Sequence, residues 1–429
     1  MPSHFFARLS QYRSAASLRL HMPGHGGALS PFDVTELCAT DDLFDPQTDG
    51  ALERDEADAA RLFGAKTCLF SAGGATLCLQ TALCFAVRRQ KKGARVFCER
   101  GVHRSVLHAL ALLDVDPVFV DDVVFLTDAD VAEGDLLVFS GCDYFGKIPN
   151  WQALSDFCRR NRLHSVIDNA HGTHLRFLNG GRLHPLTYGF ELVVDSAHKT
   201  LSCLTSSAVL HVGRDMQGEV HTLRKELFCA MRLFGSTSPN YLVILSLCEE
   251  LFRIGEGFDG ENYAPFLQRA KLVSSVATAA GFREWGDDPM RIALTEGFDF
   301  LRLSDRLKAY GIFVELAQKD GMVMLFGADF DEEKAAQLSG VLAKVLPDCK
   351  TRTRSSSPLV SKQPPRRVLS LREALMKEGE EVKKAHAAGR IAAEVVGLYP
   401  PGTALCMPGE DLTGEVLDRL TCTHVRVVK

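Results

Sequence analysis

The sequence is short of several things that would assign it to a class at once. It has no apolar run approaching the roughly 18 residues of a membrane-spanning helix. Its N-terminus, MPSHFFARLSQYRSAASLRLHMPGHGG, contains no apolar core or cleavage pattern, so no signal peptide is expected. None of its 13 cysteines forms a CxxC pair, which removes the usual zinc and dithiol redox motifs. Cys68, Cys78 and Cys84 instead lie in apolar runs, where cysteine acts as a small hydrophobe, and the set reads as reduced thiols of a cytoplasmic protein. There is no excess of positive charge: the formal net charge is -5, which argues against nucleic acid or an anionic membrane as partner. There is no internal repeat and no low-complexity tract. What remains is an ordinary globular composition, 46% hydrophobic and 24% charged, in a chain of 429 residues, which exceeds what one core usually serves and predicts two or three domains.

Between residues 65 and 212, short β-rich runs alternate with helical patterns. The predicted strands are 67–70, 94–99, 117–121, 135–141, 164–168, 191–195 and 206–212, and the helical stretches between them include HRSVLHALALL and NWQALSDFCRRNR. This alternation predicts an α/β fold with a mainly parallel sheet and helices on both faces, the ligand site lying outside the carboxyl ends of the strands. A helix should follow Pro239, with Ser238 as N-cap and Pro239 at the first helical position. A large domain spanning 1–260 should be followed by a smaller α/β domain over 261–429, with RIALT and MVMLFG as strands and DEEKAAQLSGVLAKVL as a helix. Residues 351–367 read as a linker or exposed loop, and LSLREALMKEGEEVKKAHAAGRIAAEVVGL (369–398) reads as one helix.

The chemistry is concentrated at four turns. SAGGATLCLQTAL follows a strand and opens a helix, so the backbone of Gly74 and Ala75 and the hydroxyl of Thr76 could hold a phosphate at a helix N-terminus. Glycine-rich turns are common, and alone this one could be only a turn. His103 stands at the start of a helix, where a cap is the simpler reading. SVIDNAHGTH ends a strand in Asp168, followed by Asn169, His171 and His174; Asp168 could cap the next turn or hold a pyridine nitrogen protonated. ELVVDSAHKT closes a buried-looking strand with Ser196, His198 and Lys199. A lysine there either snorkels into solvent or has its pKa depressed for Schiff-base chemistry. Phosphate turn, histidine, aspartate and lysine in this order fit one cofactor, pyridoxal 5'-phosphate (PLP).

The chain also resembles, nearly end to end, the fold-type-I PLP-dependent ornithine/lysine/arginine decarboxylases in their short bacterial form. The resemblance is carried by HMPGHGG (21–27), DVTEL and DDLFDP (33–46), DNAHGTH, DSAHKTLSCLTSSAVLHV, GSTSPNYLVILSL (235–247) and GRIAAEVVGLYPPGTALCMPGE (389–410). It implies a decarboxylase acting on a basic amino acid to give a polyamine-pathway amine. Lys199 would be the Schiff-base lysine, Asp168 the partner of the pyridine nitrogen, His103 the ring-stacking group, and His198 a neighbour of the lysine. His171 would lie under the ring or near its edge. Thr76, Ser196, Gly74 and Ala75 would hold the phosphate. Ser236, Thr237 and Ser238 would reach the cofactor of the neighbouring subunit, implying a homodimer with shared sites. Asp41, Asp42, Asp45 and Glu410 are the carboxylates that could meet the substrate's distal cation. The chain departs from the family pattern at Gly26, Gly74, Ala75, Asn169 and Asn240. Those departures leave open another PLP-dependent lyase or aminotransferase, or a weakened paralogue that binds PLP and regulates.

Overall fold

The computed structural model describes residues 2–16, 18–19, 21–34, 50–283, 285–351, 364–398, 403–420 and 422–429. Two helices, α1 (His4–Ala15) and α2 (Ala51–Phe63), precede the large sheet. The sheet and its connections run β1 (Thr67–Ser71), α3 (Gly74–Arg89), β2 (Val96–Glu99), α4 (Arg104–Leu112), β3 (Val118–Val120), β4 (Leu136–Ser140), α5 (Trp151–Asn161), β5 (His164–Asp168), β6 (Leu192–Asp195) and β7 (Ala208–Val212). Two helices, α6 (Val220–Phe234) and α7 (Tyr241–Glu256), follow.

The strand order is β1-β7-β6-β5-β4-β2-β3, and β7 alone runs antiparallel to its neighbours. All seven strands fall on the runs expected from sequence. They are legible because β1, β4, β5, β6 and β7 are buried mostly along both faces, so they appear as near-continuous apolar runs rather than as alternating ones. Successive side chains still point to opposite faces. Phe139, Ile167 and Val193 pack with α2, α5 and α7 on one side, while Val138, Val166 and Val194 pack with α3, α4 and α6 on the other.

Beyond α7 the apolar residues gather in two places. One cluster joins α8 (Ala264–Ala279), β8 (Arg291–Leu294), α9 (Phe300–Lys308), β9 (Leu316–Gln318), β10 (Gly321–Leu325) and α10 (Glu332–Cys349), around a three-stranded antiparallel sheet of order β8-β10-β9. The other lies among α11 (Leu371–Met376), β11 (Gly379–Lys383), β12 (Val396–Leu398), β13 (Thr403–Cys406), α12 (Gly414–Arg419) and β14 (His424–Val428). Leu371 and Met407 of this last segment join the cluster on the α4 side of the large sheet.

Two local expectations are corrected. Residues 369–398 are not one helix. Ser370 and Glu373 close a capping box, but the helix ends at Met376 and the chain becomes β11, paired antiparallel with β14 from Gly379↔Val428 to Lys383↔His424. The Ala- and Glu-rich composition favours helix, and a strand partner more than 40 residues away overrides it. The second correction is at α7: its N-cap is Asn240, whose Oδ1 accepts from Leu242 N and Val243 N at 3.0 and 3.3 Å, not Ser238. Pro239 therefore precedes the cap. Most of the 351–367 segment, with the TEL, DDLFDP and YPPG matches, lies outside the described residues.

Candidate active site

The carboxyl ends of β5 and β6 lie side by side and carry the two motifs that ended apolar runs in the sequence. Asp168, the last residue of β5, is buried, and its Oδ1 accepts from Ala170 N at 3.1 Å. Burial pushes its pKa up, while the positive charges of Lys199 and His103 oppose that rise. Three residues past Asp168, His171 meets Lys199: Nε2 and Nζ are 3.0 Å apart. Burial and the neighbouring ammonium hold the His171 pKa well below the usual imidazole range, so His171 accepts this bond as a neutral ring.

Lys199 lies in the single 3-10 turn Ala197–Lys199 after β6. Its side chain stays accessible, yet the surrounding protein desolvates the ammonium and lowers its pKa, against the pull of Asp168. Both residues thus deviate in the direction that suits a nucleophilic amine. His198 anchors this turn. Its Nδ1 lies 3.1 Å from Ser207 O and 3.4 Å from Ser196 Oγ, tying the lysine turn to the start of β7. Ser196 is buried.

The same hairpin meets the glycine turn. Gly74 N donates to Ser206 O at 2.8 Å, and Gly74 has φ of 70°, a left-handed backbone in which a side chain would be strained. The N-cap of α3, Gly73, offers no side chain to its first turn, which leaves the backbone N–H groups near Ala75 and the exposed Thr76 available to an anion. His103 caps α4, its Nδ1 lying 2.8 Å from Ser105 Oγ and 3.3 Å from Ser105 N. It follows the carboxyl end of β2, at the same strand ends, and burial lowers its pKa.

Gly74, Ala75, Thr76, His103, Asp168, His171, Ser196, His198 and Lys199 thus come from turns at one end of the sheet. Ser236, Thr237 and Ser238 are not joined to them. They stand exposed before α7, and among the described residues Ser236 Oγ bonds only within the turn, accepting from Ser238 N at 3.1 Å. Asp41, Asp42 and Asp45 lie outside the described residues.

Glu410 is excluded as the carboxylate for a substrate cation. Both its oxygens are held by the guanidinium of Arg100, Nη1 to Oε1 and Nη2 to Oε2, each at 2.6 Å, and Oε2 also accepts from Met407 N at 2.7 Å. The PGE signature thus fastens the C-terminal segment to the loop that carries His103.

Three site neighbours were not anticipated. Tyr144 lies edge-on to His171, with ring centroids 5.2 Å apart, and donates its hydroxyl to Glu315 Oε1 at 2.6 Å. The charge of exposed Glu315, just before β9, is felt by Lys199. Buried Arg291 of β8 donates to the carbonyls of Asp143, Tyr144 and His171 at 2.7, 2.8 and 3.2 Å, locking these loops onto the smaller sheet. An isolated Tyr, Glu or Arg in a polar loop carries no spacing signal that would single it out.

The departure Asn169 also acquires a reason. Its Nδ2 donates to Asp195 Oδ1 at 2.7 Å, and its Oδ1 accepts from Cys142 N at 3.3 Å. His184 and His211 approach Asp195 Oδ2 at 3.1 and 3.0 Å. A second carboxylate in place of Asn169 would face buried Asp195 with nothing to donate.

The arrangement is one lysine of depressed pKa, a buried acid across from it, a neutral histidine on the lysine, and an open helix N-terminus. The donor set fits PLP: an amine for the aldehyde, an acid for the pyridine nitrogen, a ring for the face and backbone N–H groups for the phosphate.

Comparison with known proteins points the same way. The profile of the Orn/Lys/Arg decarboxylase major domain matches residues 3–123, and that of the Orn/Lys/Arg decarboxylase C-terminal domain matches residues 360–424. An arginine decarboxylase of Halalkalibacterium halodurans is 24% identical over 92% of this chain and 88% of its own length. Among solved structures, the lysine decarboxylase LdcF of Francisella novicida superposes with a TM-score of 0.78 at 17% identity, covering 100% of this chain and 81% of the other. A serine palmitoyltransferase of S. paucimobilis solved with bound PLP shares the fold more loosely, with a TM-score of 0.53 at 12% identity over 80% of this chain and 83% of its own. The fold is that of the fold-type-I PLP-dependent enzymes.

Proposed function

We propose that the chain, matched by the Orn/Lys/Arg decarboxylase profiles over residues 3–123 and 360–424, removes the α-carboxylate of a basic amino acid with PLP held on Lys199. The observation that carries this reading is the convergence of Lys199, His171 and Asp168 at adjacent strand ends. PLP, when bound, supplies an electron sink for the pair released as the carboxylate leaves.

The protein's own groups then have separate tasks. Asp168 would hold a proton at the pyridine nitrogen, and the backbone of Ala75, with Thr76 and Ser196, would hold the phosphate; Gly74, expected to share in this, instead gives its N–H to Ser206 O and shapes the turn. His103 would cover a ring face. Lys199 would carry the cofactor and, with His198, would supply the proton delivered to Cα. Since Nδ1 of His198 lies against the Ser207 carbonyl, Nε2 is the nitrogen left for proton transfer. Glu315, fixed by Tyr144 and facing Lys199 from the smaller sheet, is the carboxylate we assign to the distal cation of the substrate.

Two departures from the family pattern do not weaken this reading. Gly74 meets a backbone requirement, and Asn169 donates a hydrogen bond to buried Asp195. We further propose that the chain works as a homodimer in which Ser236, Thr237 and Ser238 face the partner's site. That arrangement would account for three exposed hydroxyls that reach none of the groups around Lys199 in one chain. We treat residues up to about Gly260 as the PLP-binding domain and the remainder as the smaller domain. Among the described residues no helix is long and apolar enough to cross a membrane; the cysteines described there are free, as in a reducing compartment, and we propose the cytoplasm as its location.

The test is incubation of PLP-loaded protein with a panel of amino acids, with CO2 and amine measured together. Equimolar CO2 and amine from arginine, lysine or ornithine are expected. Visible absorbance from bound PLP with no CO2 from any of the three would overturn decarboxylation in favour of a PLP-binding regulator.

A further inference from the structure

A cavity of about 430 Å³ opens at the end of the large sheet remote from Lys199, where the chain enters β1 and β6 and leaves β7. Its lining includes Phe63, Gly64, Arg159, Arg176, Arg214 and Asp215. Arg159 is already engaged with Ser155 and Asp156. The other two have no ion-pair partner among the described residues, although the Arg176 guanidinium lies 5.9 Å from the centroid of the Phe258 ring. Arg176 donates Nε to Phe63 O at 2.6 Å, and among the described residues its two Nη groups make no hydrogen bond and Arg214 has no ion-pair partner. Asp215 pairs with neither.

The two guanidiniums nevertheless converge. A Cβ built on Gly64 would lie 3.1 Å from Arg214 Nη2 and 3.3 Å from Arg176 Nη2, so both tips close over one point of backbone. Gly181 makes room for the Arg176 fork in the same way, since a Cβ there would lie within 3.1 Å of Thr187 Oγ1 and closer still to Arg176 Nη1. Burial and the charge of Arg214 both lower the Arg176 pKa. Two cations brought together without a carboxylate between them repel, and this arrangement costs stability unless an anion completes it.

We propose that Arg176 and Arg214 form an anion site for a small phosphorylated molecule. Two planar guanidinium forks match phosphate oxygens, and a cavity of this size suits a small ligand rather than a peptide. The site is separate from the phosphate cradle at Ala75 and Thr76, which lies at the opposite ends of the strands. It does not depend on the decarboxylase reading.

The experiment is isothermal titration calorimetry of the PLP-loaded full chain freed of excess PLP, with inorganic phosphate and pyrophosphate as probes. Saturable binding of pyrophosphate is expected, weakened at least tenfold in Arg214→Gln and reduced by added salt. Arg214 is exposed and its charge opposes Arg176, so the variant should fold and melt no lower than the wild type. Arg176→Lys keeps the charge but loses the fork, and should also weaken binding. Absence of saturable heat with both probes, or undiminished pyrophosphate binding by Arg214→Gln, would overturn the proposal.

Discussion

The ends of β5 and β6 each present a buried aspartate, and the two have opposite surroundings. Asp195 is enclosed by Asn169, His184 and His211, and these donors and the charges of the two imidazoles outweigh burial, so its pKa is depressed. Asp168, one strand away, has a single backbone donor, and burial raises its pKa. The first carboxylate is satisfied within the protein. The second has capacity left, and it faces the lysine. A buried acid whose hydrogen-bonding capacity is unfilled marks where a ligand belongs, whereas one that is fully bonded marks where the frame is fastened.

Four predictions break or sharpen this contrast. The largest effect should come from Asp168→Asn. PLP should still bind, the melting temperature should move little, and the decarboxylation rate should fall roughly a thousandfold or more, about 4 kcal/mol at 1.4 kcal/mol per tenfold. Near-wild-type turnover in this variant would remove Asp168 from its role.

Asp195→Ala should show the reverse pattern. Three buried donors would lose their acceptor, at a cost of about 3–5 kcal/mol in unfolding free energy, read by urea denaturation. The pH dependence has a definite sign. The folded pKa of Asp195 lies below its unfolded value of about 3.9, so the stabilisation is present above that pH and is lost as pH falls through the folded pKa. Wild type and variant should therefore converge in stability in strong acid; a constant gap would show that ionisation of Asp195 is irrelevant.

Glu315→Gln should raise KM for a basic amino acid by roughly tenfold to a hundredfold, about 1.4–3 kcal/mol, while kcat changes less, because the distal cation is bound alike before and during reaction. An unchanged KM would return the distal contact to Asp41, Asp42 or Asp45.

The smallest effect concerns Lys199. Only the neutral amine can capture PLP, and its lowered pKa brings that form in at lower pH than for an ordinary lysine. The rate at which apo-protein develops visible absorbance with added PLP should rise with pH and level off below the usual lysine range. In Asp168→Asn the midpoint should move lower still, since a charge that favours the ammonium has gone. A midpoint at the ordinary lysine value would mean that the cleft does not desolvate the amine.

Strands β1 and β4 to β7 and the lysine–aspartate pair are legible for one reason. Burial on both faces leaves long apolar runs, so an Asp or Lys at their ends stands out. The helix expected over 369–398 failed because β11 is defined by β14 at the other end of the segment, and local composition carries no trace of that partner. Asn240 was passed over as a cap because Ser-Pro directly before it is an equally good helix-start pattern. Glu410 is an acid in a signature motif, and only the structure shows it spent on Arg100, which is 310 residues away. Glu315 and Tyr144 derive their meaning from the juxtaposition of two sheets, which no single segment encodes.

The reversed strand β7 has a consequence for how the protein comes to exist. It lies between β1 and β6, and its first turn carries Ser206, the acceptor for Gly74 N. During synthesis the glycine turn leaves the ribosome well before that acceptor, and the two can meet only after a loop of roughly 130 residues has closed, a slow, high-contact-order event. Until β7 slots into place, β1 has no neighbour in the sheet and half of the cradle has no wall. The ability to take up cofactor should therefore be among the last properties acquired as the nascent chain folds.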